Sequence, residues 1–446
     1  MESSTKSNSG TERISATIAE LAKDELPGVD QVFALDLEGT ARQAGALQRK
    51  RAIRSAGDLL SVVLVYVLRD WSLKMVAQWA LLQGIGYLSD VAVLKRLRGC
   101  GRWLGMLIGL ILQNRCRALQ AIPRVRLRLM DASVITRPGA KGTDWRLHLG
   151  LTLWPLGIDG IEITDAQGGE TLARLAPQAN EIRVADRGYA FVSSLTPLLE
   201  SDSFLVVRIN WQNLPLETET GQRFDLIAWL KVLRIPSEQA VWLPTSEGRF
   251  ALRLLACPLP EEVAERGRMR ARKNNSKHRR KASANTLLAA GFILLVTNLP
   301  AGAWSIRQVL WLYRLRWQIE LAIKRLKSLI QIDHLRSQDP RMVQTYLLGK
   351  LLVALLLDEL IQQVAYHQPD WFHSWERPVS IWRLTQFLWE SLYNWIIHPV
   401  SWKRLLLFLP ASRRYLCDSP RARPQQLALA RAFLEAHPLV CHPFSC

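Results

Sequence analysis

In the stretch SIRQVLWLYRLRWQIELAIKRLKSLI, residues 305–330, one carboxylate stands among bases at fixed intervals. Tyr313 and Arg316 precede Glu320 by seven and four residues, and Lys324 and Lys327 follow it by four and seven. On an α-helix, which turns about 100° per residue, these five side chains lie along one line. Such a set has two uses. One is a solvated face with ordinary i,i+4 ion pairs, which contribute little to stability. The other is chemical: a carboxylate that holds a cation, beside a phenol and three bases that hold phosphate oxygens. The helix itself is well signalled. Ser305, with Gln308 three residues on, forms a capping-box pattern. Val309, Leu312, Leu315, Ile319, Ala322, Ile323, Leu326 and Ile330 recur at helical spacing and predict one buried face on a single continuous helix.

Two aspartates upstream stand where strands are expected to end. RVRLRLMDAS alternates, with Val125, Leu127, Leu129 and Asp131 on one face and Arg124, Arg126 and Arg128 on the other. NEIRVADRGYA likewise puts Ile182, Val184 and Asp186 on one face. Singly, each aspartate reads as a strand-end or turn residue, as do Asp144, Asp159 and Asp165.

The elements that must position these groups follow in order. Three strands come first: the one ending at Asp131, then DWRLHLGLTLW, then GIEITDAQ after a turn at LGIDG. A short helix ETLARLAP, the strand ending at Asp186, the helix VSSLTPLLE and the strand DSFLVVRIN with Arg208 complete the set. Three strands, helix, strand, helix, strand is the order of an RNase H-like α/β fold, whose first and fourth strands are neighbours. Asp131 and Asp186 would then project to one edge, and two carboxylates that close repel unless a cation lies between them. The apolar strand GFILLVTNLP precedes Ser305, so the glutamate helix is laid against the same sheet.

Tyr313-x2-Arg316-x3-Glu320-x6-Lys327 resembles the YREK signature of bacterial insertion-sequence transposases of the "family four" group. DAS at Asp131 and DRGY at Asp186 resemble that family's aspartate motifs. The resemblance implies an RNase H-like catalytic core in which Asp131, Asp186 and Glu320 are the catalytic, metal-holding triad. Oxygen-only donors suit hard divalent ions, Mg2+ with Mn2+ as a substitute, and two such ions serve phosphoryl transfer on DNA. It further implies that Tyr313, Arg316, Lys324 and Lys327 grip the DNA strand, with Arg208 close to the site. The expected activity is cut-and-paste transposition: cleavage at terminal inverted repeats, a hairpin intermediate and strand transfer to target DNA. A homodimer in a synaptic complex would hold two element ends. An RNase H-like nuclease without strand transfer, and a non-catalytic DNA-binding or inhibitory protein, are the alternatives.

Composition agrees with a polyanionic partner. The 446 residues carry a net charge of +19, with 49% hydrophobic and 22% charged residues, which is globular rather than disordered. Duplex DNA is the leading partner, and a membrane surface the weaker one. The apolar runs Leu59–Leu68 and Leu347–Leu357 are shorter than a spanning helix, so no membrane role is expected and the protein is placed in the bacterial cytoplasm, with the nucleoid.

The chain is expected to be α/β and multidomain, a mixed sheet flanked by helices. Its parts are a polar tail (1–48), a helical DNA-binding domain (49–120), the first part of the core (121–210), a β-rich basic insertion (211–286), the second part with the glutamate helix (287–340) and a helical, Trp-rich region (341–446). In the DNA-binding domain, helices capped by Ser72 and Ser89 form a helix-turn-helix-like pair carrying Lys95, Arg96 and Arg98. The insertion ends in a basic segment with Arg272, Lys273, Arg279 and Arg280 as phosphate contacts. Six cysteines show no zinc-type spacing, although His437, Cys441, His442 and Cys446 cluster at the tail.

Overall fold

The computed structural model describes residues 35–120, 125–139, 142–153, 156–277, 279–373, 378–397, 413, 416 and 417. The N-terminal stretch through residue 34, Arg124, Trp402 and the tail cluster from His437 to Cys446 lie outside them. The chain divides into two compact units. A sheet unit takes in Leu119–Ile135 and Thr143–Lys324, and a helical unit takes in Met1–Ala118, Thr136–Gly142 and Arg325–Gln425.

Among the described residues eight strands make the sheet unit: β1 (Arg126–Ile135), β2 (Trp145–Leu153), β3 (Leu156–Asp165), β4 (Glu181–Ala185), β5 (Phe204–Arg208), β6 (Ser237–Thr245), β7 (Gly248–Pro258) and β8 (Phe292–Thr297). They form one mixed sheet in the order β3-β2-β1-β4-β5-β8-β7-β6. β1, β4 and β5 run parallel and the other pairings are antiparallel, consistent with an RNase H-like α/β core. The side chain of Asn298 fastens the end of β8 to the start of β5. It accepts from Leu205 N at 2.8 Å and donates to Ser203 O at 3.0 Å.

Several local expectations are corrected. LGIDG is no turn but the first half of β3, because Asp159 is buried as the partner of Arg128, 2.6 Å from Nη2. Arg128 also lies 3.0 Å from Glu181, which in turn pairs with Arg183. Arg128 thus sits in a dry ion network with Asp159, Glu181 and Arg183. ETLARLAP closes only one 3-10 turn, Leu172–Arg174, since the Arg183 guanidinium takes the carbonyls of Leu172 and Ala176 that a longer helix would use. The helix at VSSLTPLLE, Val192–Leu199, links β4 to β5 as expected. Within the insertion, RFDLIAWLKVLRI contains a helix capped by Asp225, and the basic segment is helical through Lys277, with Arg279 and Arg280 past the helix end. The β6–β7 hairpin extends the core sheet through β8.

The helices are α1 (Leu37–Gln43), α2 (Ala56–Arg69), α3 (Leu73–Leu82), α4 (Asp90–Arg98), α5 (Gly101–Gln120), α6 (Val192–Leu199), α7 (Leu226–Val232), α8 (Glu261–Lys277), α9 (Ala284–Ala289), α10 (Ile306–Leu315), α11 (Trp317–Ser328), α12 (Pro340–His367), α13 (Pro369–His373) and α14 (Ile381–Ile397). The expected single glutamate helix is α10 followed by α11. At Arg316 the bonding tightens to i,i+3, with Arg316 N donating to Tyr313 O and Ile319 N to Arg316 O. Ser305 closes its capping box with Gln308, and seven of the eight predicted apolar positions are buried, Ile323 being half-buried.

In the helical unit, α12 runs against α2 at close range: a Cβ on Gly349 would lie 2.8 Å from Val67 Cγ1. Arg115 pairs with Asp358 and Glu359, and buried Lys350 donates to Gln331 O at 2.8 Å while lying 4.4 Å from the Tyr346 ring centroid. Burial lowers that ammonium to about 8. Ser72 and Ser89 cap α3 and α4, and Gly84 between them takes φ 72°. Among the described residues no helix is long and apolar enough to cross a membrane.

Candidate active site

The sheet register brings the two aspartates together. β1 and β4 pair in parallel with Leu129 opposite Val184, so Asp131 and Asp186, two residues further on, come level on the same face. Neighbouring strands lie about 4.8 Å apart, which makes the carboxylates immediate neighbours. β1 does not end at Asp131, as alternation alone suggested. It runs on to Ile135 against β2, and what ends there is its pairing with the shorter β4. Asp186 follows the last residue of β4 and caps the 3-10 turn Arg187–Tyr189, accepting from Gly188 N at 2.7 Å. Asp131 Oδ1 accepts from Ala132 N at 2.8 Å.

Glu320 reaches this pair through a guanidinium. Arg316 donates to Glu320 Oε1, and its Nη1 lies 3.7 Å from Asp131 Oδ2. The Arg316 Cζ sits 5.8 Å from the Tyr313 ring centroid, so the stripe read from the sequence is stacked in space. Lys324 is exposed and Lys327 half-buried further along α11. Arg208, half-buried, ends β5 opposite Leu295 of β8.

The electrostatics show what the cluster lacks. Burial, then the Asp186 charge and more weakly Glu170, push the Asp131 carboxyl up to about 6 against the pull of Ala132 N–H and Arg316. Among the described residues no three His, Cys, Asp or Glu side chains are grouped tightly enough to hold one metal ion. The donor chemistry nevertheless suits a hard divalent cation: all donors are oxygens, and one is desolvated beside a like charge. In the structure Arg316 supplies the positive charge between Asp131 and Glu320.

Among the described residues the remaining basic side chains bond partners other than Asp131, Asp186 and Glu320 or make no ion pair. On α4, Lys95 is exposed, Arg96 donates to Arg49 O at 3.1 Å and Arg98 pairs with Asp339 at 2.7 Å. Arg272 on α8 pairs with Glu265 at 2.8 Å, whereas Lys273, Arg279 and Arg280 are exposed and make no ion pair among the described residues.

Three groups escaped the sequence reading. Glu170, read as the first residue of the helix ETLARLAP, lies in the loop before the 3-10 turn Leu172–Arg174, and its carboxyl is raised by burial and by Asp186. Tyr189 is part of the DRGY motif, so its nearness to Asp186 was in principle readable, but its burial was not. Trp317, at the break beside Arg316, is 56% exposed, unusual for a tryptophan.

Comparison with known proteins identifies the family. A family model described as Transposase DDE domain matches residues 162–356, a span that holds Asp186 and Glu320 and begins after Asp131. InsL of insertion sequence element IS186A from Escherichia coli (strain K12) is 38% identical over 356 residues, 78% of this chain and 94% of that protein. The transposase for insertion sequence element IS421 of Escherichia coli is 38% identical over 357 residues, with the same shares. The transposase for IS231E of Bacillus thuringiensis subsp. finitimus is 22% identical over 367 residues, 72% of this chain and 76% of that protein. On this identity and coverage, the chain belongs to the DDE transposases of bacterial insertion sequences.

Proposed function

We propose that this transposase moves its own insertion sequence by cut and paste: it cuts at the terminal inverted repeats, passes through hairpin-ended DNA and joins the freed 3′-ends to target DNA. The observation that carries the reading is the level placement of Asp131 and Asp186 on parallel strands, with Glu320 tied to Asp131 through Arg316. Asp131, Asp186 and Glu320 would hold Mg2+ or Mn2+. Bound there, a pair of such ions supplies Lewis acidity to the attacking and leaving oxygens of the phosphoryl transfer. Arg316, Lys324 and Lys327 hold phosphate oxygens along one line of the helix, Tyr313 donates a hydrogen bond to one of them, and Arg208 approaches from β5.

DNA is held elsewhere by charge. Lys95, Arg96 and Arg98 present α4 to the terminal repeat, Arg98 exchanging Asp339 for a phosphate. Arg272, Lys273, Arg279 and Arg280 neutralise the backbone beside the core. Two copies of the chain pair the two element ends, and the reaction takes place on cytoplasmic DNA.

The test is a Mg2+-dependent reaction of the purified chain with element-end DNA and a supercoiled target. Asp131→Asn, Asp186→Asn and Glu320→Gln should each abolish cleavage and leave gel-shift binding in place. Cleavage without joined products would reduce the protein to a nuclease. Full activity in any of the three variants would remove the triad.

A further inference from the structure

Glu170 and Tyr189 stand beside the carboxylate pair and have no part in the triad. A Cβ on Gly188 would lie 2.3 Å from Glu170 Oε2 and 3.1 Å from Asp186 Oδ1, so one point in space touches both carboxylates. Among the described residues the Glu170 carboxylate makes no hydrogen bond and no ion pair. Arg146, whose charge acts on Glu170, spends Nη1 on Gly168 O at 2.9 Å, and its Nε is buried without a partner among the described residues.

Tyr189 is a second and independent sign. Its ring belongs to the apolar cluster with Met130, Leu172 and Ala185, and it is 1% exposed. Its hydroxyl is buried and has no hydrogen-bond partner. The charges of Asp131, Glu170 and Asp186 all act on that hydroxyl, which together with burial raises it above the ordinary phenol range. A buried phenol on which three carboxylate charges act, and which bonds none of them among the described residues, lacks the partner its burial calls for.

We propose that Glu170 is a fourth carboxylate ligand of the divalent-ion centre, and that the Tyr189 hydroxyl positions a water of the ion's hydration shell between Glu170 and Asp186. The inference rests on the reading of Asp131 and Asp186 as ion ligands. Charge balance favours it: two divalent ions bring four positive charges, Asp131, Asp186 and Glu320 offer three negative ones, and Glu170 makes the fourth. A hydrated cation also answers both anomalies together. It neutralises a half-buried carboxylate next to another, and it brings a donor to the orphaned phenol oxygen. Glu170 ends a flexible side chain, so it can turn onto the ion without movement of the sheet.

The experiment is Mn2+ binding to the full chain, followed by the loss of the free-ion electron paramagnetic resonance signal, in wild type, Asp186→Asn, Glu170→Gln and Tyr189→Phe. Glu170→Gln and Tyr189→Phe should each weaken Mn2+ binding by roughly 10-fold or more. Glu170→Asp should restore part of the loss. Tyr189→Phe should at the same time leave the ion-free melting temperature unchanged or higher, because it removes an unpaired buried hydroxyl. Fe2+ put in place of Mn2+, with peroxide and ascorbate, should cut the wild-type backbone near Gly169–Glu170 as well as near Asp131 and Asp186, and this arm needs no variant to fold. Wild-type Mn2+ affinity in both Glu170→Gln and Tyr189→Phe, with binding lost in Asp186→Asn, overturns the proposal and leaves the triad standing. Unaltered binding in Asp186→Asn, or none in wild type, overturns the triad reading and this proposal with it.

Discussion

Replacing Asp131 by Asn should stabilise the ion-free protein while ending its chemistry. Folding raises this carboxyl from its ordinary 3.8 to about 6, through burial first and the Asp186 charge next. One pKa unit corresponds to about 1.36 kcal/mol, so the folded state disfavours the charged form by about 3 kcal/mol. The side chain is 19% exposed, which leaves little solvent to screen that penalty. Because the folded value lies above the unfolded one, the stability is fully present below pH 3.8 and is lost as the pH rises through 6. Asn carries no such dependence. Urea denaturation in EDTA, followed by tryptophan fluorescence, should find the variant more stable than wild type by about 2–3 kcal/mol at pH 8, with the gap closing near pH 4. Mg2+ at about 100 times its dissociation constant should then return about 2.7 kcal/mol to wild type and little to the variant. A variant no more stable than wild type at pH 8 without metal would refute the claim that this carboxylate is held charged against its surroundings.

Three other perturbations probe separate links. Arg316→Ala removes the guanidinium between Asp131 and Glu320 and should lower the strand-cleavage rate by about 10²–10³-fold, measured on element-end DNA under single-turnover conditions. Glu181→Gln takes the carboxylate partner from Arg183 and leaves one net positive charge in a dry interior, Arg128 keeping Asp159, and should cost about 3–5 kcal/mol in urea denaturation, whereas breaking an exposed ion pair would cost almost nothing. Replacing Lys273, Arg279 and Arg280 together by Ser should shallow the salt dependence of DNA binding by about 0.9 per lost phosphate contact, read from gel shifts across a salt series.

Periodicity located most of the frame. The strands around Asp131 and Asp186, the serine caps of α3, α4 and α10, and the apolar face from Val309 to Ile330 all follow from local rules that act within a few residues. What those rules missed was decided at long range. Asp159 reads as a turn residue until Arg128, thirty-one positions earlier, claims it. The helix expected at ETLARLAP is undone by Arg183, whose donors outbid the local carbonyl bonds. Glu170 reads as the opening residue of that helix, and only the closeness of Gly188 to its carboxylate brings it to the site. The spacing of Arg316 and Glu320 foretold an i,i+4 pair, but not that the same guanidinium would also reach Asp131 on the sheet.

The partnership of β5 with β8 has a consequence during synthesis. β5 leaves the ribosome long before β8, because the β6–β7 hairpin and α8 are made in between. Until then a growing chain carries a bare central strand, open to pairing with another nascent copy. Over the same interval it has both aspartates but no Glu320, so a prematurely terminated product is prone to clump and lacks the third carboxylate of the proposed triad. Slow translation through this interval should therefore show up as insoluble protein before it shows up as stray DNA damage.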